Sequence, residues 1–198
     1  MKKFVIPIGE EAISKAFYEE IWSGNEYNQF GICVEKGDIV LDAGSHIGIF
    51  TDYALFNGAK TVFSFEAREE IYSAYVENFP TNSLNVISKL GKIGVGDDCL
   101  DFRNIFDSCG VDHFDFAKLD IEGYEYDLLL NTPDVILEKV NKWAIEFHLW
   151  GYWDNTATEM KLMLKILEKF NNIGFDTYIK HMHTNTNLYM VYAKKNKL

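Results

Sequence analysis

Apolar positions recur along the chain with two alternating spacings. Residues 10–22 carry Ile13, Ala16, Phe17, Ile21 and Trp22 at helical spacing with acids between them, which predicts an amphipathic helix ahead of the first strand. A polar loop follows at Gly24–Gln29, and a Glu35-Lys36-Gly37-Asp38 turn launches the apolar run 39–42. From there strands and helices alternate. Strands are expected at 39–42, 61–66, 84–88, 114–119 and 142–149, and helices at 47–56, 69–79, 100–109, 124–131, 133–140 and 157–172. Asn57-Gly58, Pro80, Gly110 and Gly174 close helices where the chain needs stops. Two last strands, 175–182 and 188–194, flank the polar loop 183–187 and read as a hairpin. Five β–α alternations with short connections predict an open, mostly parallel α/β sheet with helices on both faces. No repeat or interdomain linker interrupts the pattern, so 1–198 is read as one domain, with residues 1–31 placed to cap its site.

Three strand ends share a form. The first is Asp42-Ala43-Gly44-Ser45-His46-Ile47-Gly48, the second stops at Glu66, and the fourth is Asp120-Ile121-Glu122-Gly123. In a parallel sheet such ends lie along one edge, where α/β proteins bind ligands. Gly44 and Gly48 are expected to let the backbone approach a ligand, and Asp42 to accept hydrogen bonds from its amine or hydroxyl. Glu66 comes 24 positions after Asp42, as suits a carboxylate that holds two ribose hydroxyls. The pyrophosphate turn Gly-x-Gly-x-x-Gly and the phosphate loop Gly-x-x-x-x-Gly-Lys-Ser/Thr are both absent, which argues against a nicotinamide oxidoreductase. An acid at this edge favours an ammonium group. S-adenosylmethionine offers a ribose, an amino-acid end and a positive sulfonium.

Composition narrows the partners. Hydrophobic residues make up 47% of the chain and aromatics 15%, which fits a packed globular protein. Lys+Arg number 19 and Asp+Glu 30, a net charge of −11, unfavourable for a nucleic-acid binder that must neutralise phosphates. Cys33, Cys99 and Cys109 lack metal-ligand spacing and read as reduced thiols, hence a cytoplasmic-type compartment. The chain start has no signal-peptide apolar region, and no stretch approaches a membrane span. Oligomeric state is not legible.

Four stretches carry a family resemblance: Val40–Gly48, Val62–Ala67, Phe114–Glu125 and Ile145–His148. In this order and separation the chain resembles the FkbM family of S-adenosylmethionine-dependent methyltransferases over about residues 26–150. The Lys118-Leu119-Asp120-Ile121-Glu122-Gly123-Tyr124-Glu125 segment is the specific part. The resemblance implies a Rossmann-like, seven-stranded methyltransferase sheet whose last strand inserts antiparallel. It also implies O-methylation of a hydroxyl on a sugar, glycan or small natural product. By carry-over, Asp42, Gly44 and Gly48 line the methionine end, with Ser45 and His46 standing where the family turn usually has Ala-Asn. Glu66 holds the ribose, and Asp120 and Glu122 face the cofactor or the reacting centre. Tyr27, beside a family-like Glu26, either stacks on the cofactor or packs. The adenine contacts are unassigned.

Transfer to oxygen is an in-line displacement, helped by positioning and by a base. His148 is the first candidate base, next to Asp120 in a sheet of this order and near neutral in intrinsic pKa; Asp120 is the second. Asp120, Glu122, Glu146 and His148 could also form a hard-oxygen site for Mg²⁺, although structural or cofactor roles explain the same acids more simply. Trp150-Gly151-Tyr152-Trp153 is a candidate aromatic wall for a sugar ring. Other readings stay open: a nucleic-acid or protein methyltransferase, or a non-catalytic binding module.

Overall fold

A computed structural model describes residues 2–80, 85–151, 156–182 and 187–196. Strands β1 (Ile39–Ala43), β2 (Thr61–Glu66), β3 (Val86–Leu90), β4 (Phe116–Leu119), β5 (Lys142–His148), β6 (Phe175–His181) and β7 (Leu188–Lys195) form one sheet. Its order is β3-β2-β1-β4-β5-β7-β6. The first five strands pair in parallel, and β7 runs antiparallel between β5 and β6. The expected mostly parallel sheet with an antiparallel C-terminal hairpin is therefore the observed one. The chain order reverses at β1, where β2 lies on one side and β4 on the other, and a crevice opens beyond such a switch point.

Helices α1 (Glu11–Tyr18), α2 (Ile49–Phe56) and α3 (Glu69–Asn78) are followed by α4 (Phe102–Cys109), α5 (Glu125–Asn131), α6 (Asp134–Leu137) and α7 (Thr156–Asn172). Strand periodicity divides the core in two. Leu41, Ala43, Phe63, Phe65, Leu119 and Ile145 share one cluster with residues of α4, α5 and α7. Val40, Val62, Phe116, Ala144 and Tyr192 face the other way, onto Ile49, Phe50 and Tyr53 of α2. This two-sided burial explains why the strand cores read as nearly unbroken apolar runs. α4 begins with a reciprocal cap in which Asp101 accepts from Asn104 N at 2.9 Å and Asn104 accepts from Asp101 N at 3.1 Å.

Boundaries shift in two informative places. The helix expected over 10–22 is regular only to Tyr18 and then widens into a π turn, Glu19–Ser23. The wider turn carries Ile21 into the core and sets Trp22 edge-on to Tyr53. Strand β3 starts at Val86 rather than Leu84, because its ladder with β2 begins at the Val62–Val86 pair. Leu84 itself lies outside the described residues, as do Tyr152, Trp153 and His183. No helix among the described residues is long and apolar enough to cross a membrane.

Candidate functional site

The β1 turn is built from backbone. Gly44 and Ser45 both donate to the Phe65 carbonyl, at 3.0 and 2.9 Å. Glu66 completes the tie, accepting from His46 N at 2.9 Å and from Arg68 N at 2.8 Å. His46 holds φ +48° and Gly44 φ +83°. A left-handed position tolerates His or Asn better than most side chains, which suits His46 to its place. A Cβ on Gly44 would lie 1.7 Å from the Asp120 carbonyl, so the β1 and β4 turns touch backbone to backbone only because Gly44 has none.

Beside these turns lies a cavity of about 310 Å³. Its walls are Gly44, His46 and Glu66, the Ala67-Arg68 and Gly91-Lys92-Ile93 segments, the Asp120-Ile121-Glu122 turn with Tyr124, and Ile13 and Phe17 of α1. A narrower recess of about 20 Å³ adjoins it, sharing Phe17, Gly44, His46 and Asp120, and adds Glu26, Tyr27, Ser45, Lys118 and Glu146. The Ser45 hydroxyl is buried there without a hydrogen-bond partner. α1 is fastened over the cavity by Glu10, whose carboxylate meets His46 Nε2 and Arg68 Nη1, each at 3.0 Å. The His46 contact, and secondarily Arg68, hold the Glu10 carboxyl below its usual range. Phe17 meets the His46 ring edge-on at 5.1 Å. Ile13 and Phe17 of the N-terminal segment thus form part of the cavity wall.

Several expected site residues stand elsewhere than the sequence suggests. Asp42 does not reach the cavity: it is fully buried, accepts from Thr51 Oγ1 at 2.7 Å and lies 3.6 Å from Lys118 Nζ. Alternation sends Asp42 and its neighbour Lys118 to the α2 face of the sheet. Thr51, Ser64 and Tyr75 link their hydroxyls beneath it. Gly48 faces no ligand either. Its Cβ would fall 2.3 Å from the Phe79 ring at φ +95°, so packing and backbone angle account for it. Tyr27 is 2% exposed and packs against Phe50 at 4.7 Å, while also lining the recess. The His46 ring turns to Glu10 and Phe17, and so acts as a clamp on α1.

Lys118 is the residue that sequence reasoning missed. A lysine inside a buried strand run signals a partner, since lysine is almost never buried unpaired. Its ammonium donates to the Gly44 carbonyl at 2.6 Å and lies 3.3 Å from Asp120 Oδ2. Burial opposes its charge, but Asp120 and Asp42 outweigh burial and raise its pKa. Glu26, read only as a family echo, is also buried; desolvation first, then Glu20 and Asp120, push it up to about 8. Glu125, the last residue of the family-like segment, is fully buried and accepts from Ile121 N at 2.7 Å.

At the β4 and β5 ends the acids do converge. Asp120, Glu146 and His148 each bring one ligand-type atom within 4.8 Å of the others. His148 Nε2 stands 3.6 Å from Glu122 Oε2 and 3.7 Å from Glu146 Oε1, and Nδ1 stands 3.7 Å from Glu125 Oε1. Burial lowers the affinity of His148 for a proton, but Glu125, Asp120 and Glu146 outweigh burial and lift its pKa to about 9. Burial, with Asp120 and Glu26, likewise raises Glu146 well above its usual value. These carboxylates favour the protonated ring when no ligand is bound. Trp150 lies 4.5 Å from the His148 ring and is 45% exposed.

No protein-family model and no curated protein matches the chain. Solved structures do. Fibrillarin from Aeropyrum pernix, solved with natively bound S-adenosyl-L-methionine, superposes with a TM-score of 0.59 at 14% identity, covering 89% of this chain and 75% of that one. An rRNA methylase from Streptococcus thermophilus gives 0.57 at 17% identity over 99% and 100%. A precorrin-6y C5,15-methyltransferase from Geobacter metallireducens gives 0.55 at 11% over 98% and 95%. Likeness at this identity establishes the architecture: the chain has the Rossmann-like fold of these methyltransferases.

Proposed function

We propose that the protein is an S-adenosylmethionine-dependent O-methyltransferase of the FkbM kind, acting on a hydroxyl of a sugar, glycan or other small acceptor. The observation that carries this reading is the continuous hollow that runs from Glu66, past the β1 turn, to Asp120 and Glu122. Its chemistry fits the methyl donor. The Glu66 carboxylate, on the cavity wall, is placed to accept from ribose hydroxyls. Ala67, Ile93 and Ile121 supply apolar surface for the adenine, the contacts that no sequence pattern assigned. Ser45 Oγ, buried and unpartnered in the recess, is suited to a polar group at the methionine end, since an unmade buried hydrogen bond costs about 1–3 kcal/mol. When bound, S-adenosylmethionine supplies the electrophilic methyl group: its carbon–sulfur bond breaks as the carbon–oxygen bond forms, leaving a neutral thioether.

The protein's part is positioning and proton acceptance. The β4 turn meets the acceptor, and the hydroxyl proton passes to one of its cavity-wall carboxylates, Asp120 or Glu122. Lys118 keeps Asp120 in place from behind. Phe17 and Ile13 add apolar surface to the wall of the hollow. A nucleic-acid acceptor is the second reading. The rRNA methylase among the neighbours favours it, and the net charge of −11 weighs against it. Three free cysteines suit a reducing compartment.

Calorimetry with S-adenosylhomocysteine tests the first step. The expected result is one site per chain, weakened about 10–100-fold by Glu66→Gln. Folded protein with no heat of binding would end the methyltransferase reading. Methyl transfer to RNA and to a panel of glycosides, measured at several salt concentrations, separates the two acceptor classes.

A further inference from the structure

The acids at the β4 and β5 ends outnumber the cations that could answer them. Asp120, Glu122, Glu125 and Glu146 surround one imidazole, and Lys118 is already committed to Gly44, Asp42 and Asp120. Like charges so gathered and half-buried repel one another unless a cation joins them. We propose that Asp120, Glu146 and His148 hold a divalent metal ion of the Mg²⁺/Mn²⁺ class at the acceptor end of the hollow.

Local structure brings the three together. Glu146 and His148 are two apart on β5 and so share a face. The β4–β5 ladder pairs Leu119 with Ile145, and one step on sets Asp120 level with Glu146. The histidine is the independent observation. It is only 5% exposed, its Nδ1 is buried without a hydrogen-bond partner, and the atoms facing its Nε2 are carboxylate oxygens at 3.6 and 3.7 Å, too far for hydrogen bonds. Donors about 2.1–2.4 Å from a shared ion lie about 3.0–3.4 Å apart when adjacent and about 4.2–4.8 Å when opposite. The observed spacing, 3.7 Å between Glu146 and His148 and 4.8 Å at most across the three, needs only small side-chain closure.

The surroundings match the support that metal-binding histidines receive. Glu125 faces Nδ1 at 3.7 Å and is itself fixed by the Ile121 N–H at 2.7 Å, so it orients the ring with Nε2 toward the other acids. Lys118 holds Asp120 through Oδ2. Two carboxylates and one imidazole suit a hard or borderline divalent ion, and the absence of sulfur donors disfavours a soft one. The role of such an ion rests on the methyltransferase reading: it would grip the acceptor oxygen and ease loss of its proton, with Asp120 engaged as ligand and Glu122 left to receive the proton. Binding of the ion does not depend on that reading.

Chelator-treated protein titrated with Mn²⁺ tests the site. Electron paramagnetic resonance should show one Mn²⁺ bound per chain, with pulsed spectra carrying the coupling of one imidazole nitrogen. Glu146→Gln should weaken binding about 100-fold, and His148→Ala should remove the nitrogen coupling. Glu125→Gln, a positioning change, should weaken binding about 10-fold and leave the coupling in place. Thermal unfolding of each variant confirms that folded protein is compared. No Mn²⁺ bound by folded wild-type protein at millimolar concentration, or Mn²⁺ bound without nitrogen coupling, overturns the assignment. S-adenosylhomocysteine binding, measured on the same samples, reports on the methyltransferase reading separately.

Discussion

The β1 and β4 turns look alike in sequence and differ in state. Each follows a buried strand, begins with an aspartate and turns through glycine. At β1 the space is filled, and Asp42 Oδ1, Ser45 Oγ and His46 Nδ1 are buried without hydrogen-bond partners. Asp42 is sealed under Thr51 and Lys118, the Asp120 carbonyl occupies the space at Gly44, and Phe79 that at Gly48. At β4 the side chains face the cavity, with Asp120 held by Lys118 at 3.3 Å. Asp120 and Glu122 line the cavity, the Glu122 side chain is 62% exposed, and the His148 ring nitrogens face carboxylates at 3.6–3.7 Å. Glu122 also stands at φ +59° beside Gly123 at φ +94°, a conformation that costs a non-glycine residue about 1–2 kcal/mol. The first turn is scaffold with a backbone face toward the ligand. The second presents its carboxylates to the cavity, and each turn holds one non-glycine residue at positive φ, His46 in the first and Glu122 in the second.

Perturbing each turn should bring out this contrast. Asp42→Ala leaves the Lys118 ammonium buried with one partner fewer, and is expected to lower folding stability by about 3–5 kcal/mol in urea unfolding. A variant that keeps wild-type stability but loses cofactor affinity would make Asp42 a ligand contact after all. Gly44→Ala drives a methyl group into the Asp120 carbonyl at φ +83°, and about 2–4 kcal/mol of destabilisation is expected. Gly48→Ala should cost somewhat less, about 1–3 kcal/mol, because the Phe79 ring has room to yield where backbone does not. Wild-type melting of either glycine variant would show that the turns are looser than their packing indicates.

Changes at β4 should do the opposite. Glu122→Gly releases the left-handed strain, so stability should hold or rise by up to about 1 kcal/mol, while methyl transfer falls about 10²-fold or more. Unchanged turnover would take Glu122 out of proton acceptance. The smallest effect is expected at the clamp. Glu10→Gln removes the charge shared by His46 and Arg68 but keeps a polar group between them, and the exposed Arg68 pair is worth about 0.2–1 kcal/mol. Its signature should be faster release of S-adenosylhomocysteine in stopped-flow, with melting nearly unchanged; an unaltered off-rate would show that α1 does not act as a lid.

Much of the architecture was legible from local patterns. Gly58 and Gly174 mark helix ends, the run 39–42 marks the central strand, and the terminal hairpin follows from two strands around a polar loop. The site was legible only in outline. Glu66 and the Asp120–Glu122 turn do face the cavity. Asp42 matched the same signals and lines neither the cavity nor its recess, because alternation along a strand does not say which face of the sheet receives a ligand.

By itself, then, the sequence determined the succession of strands and helices, the absence of a pyrophosphate turn, and the strand ends on which acids would stand. Those features depend on residues near one another in the chain. The tertiary structure alone decided which acids are spent on a buried lysine and which are left over to face a ligand. Pairing and desolvation act through space, and only the order β3-β2-β1-β4-β5-β7-β6 sets Lys118 beside Asp42 and Asp120 level with Glu146.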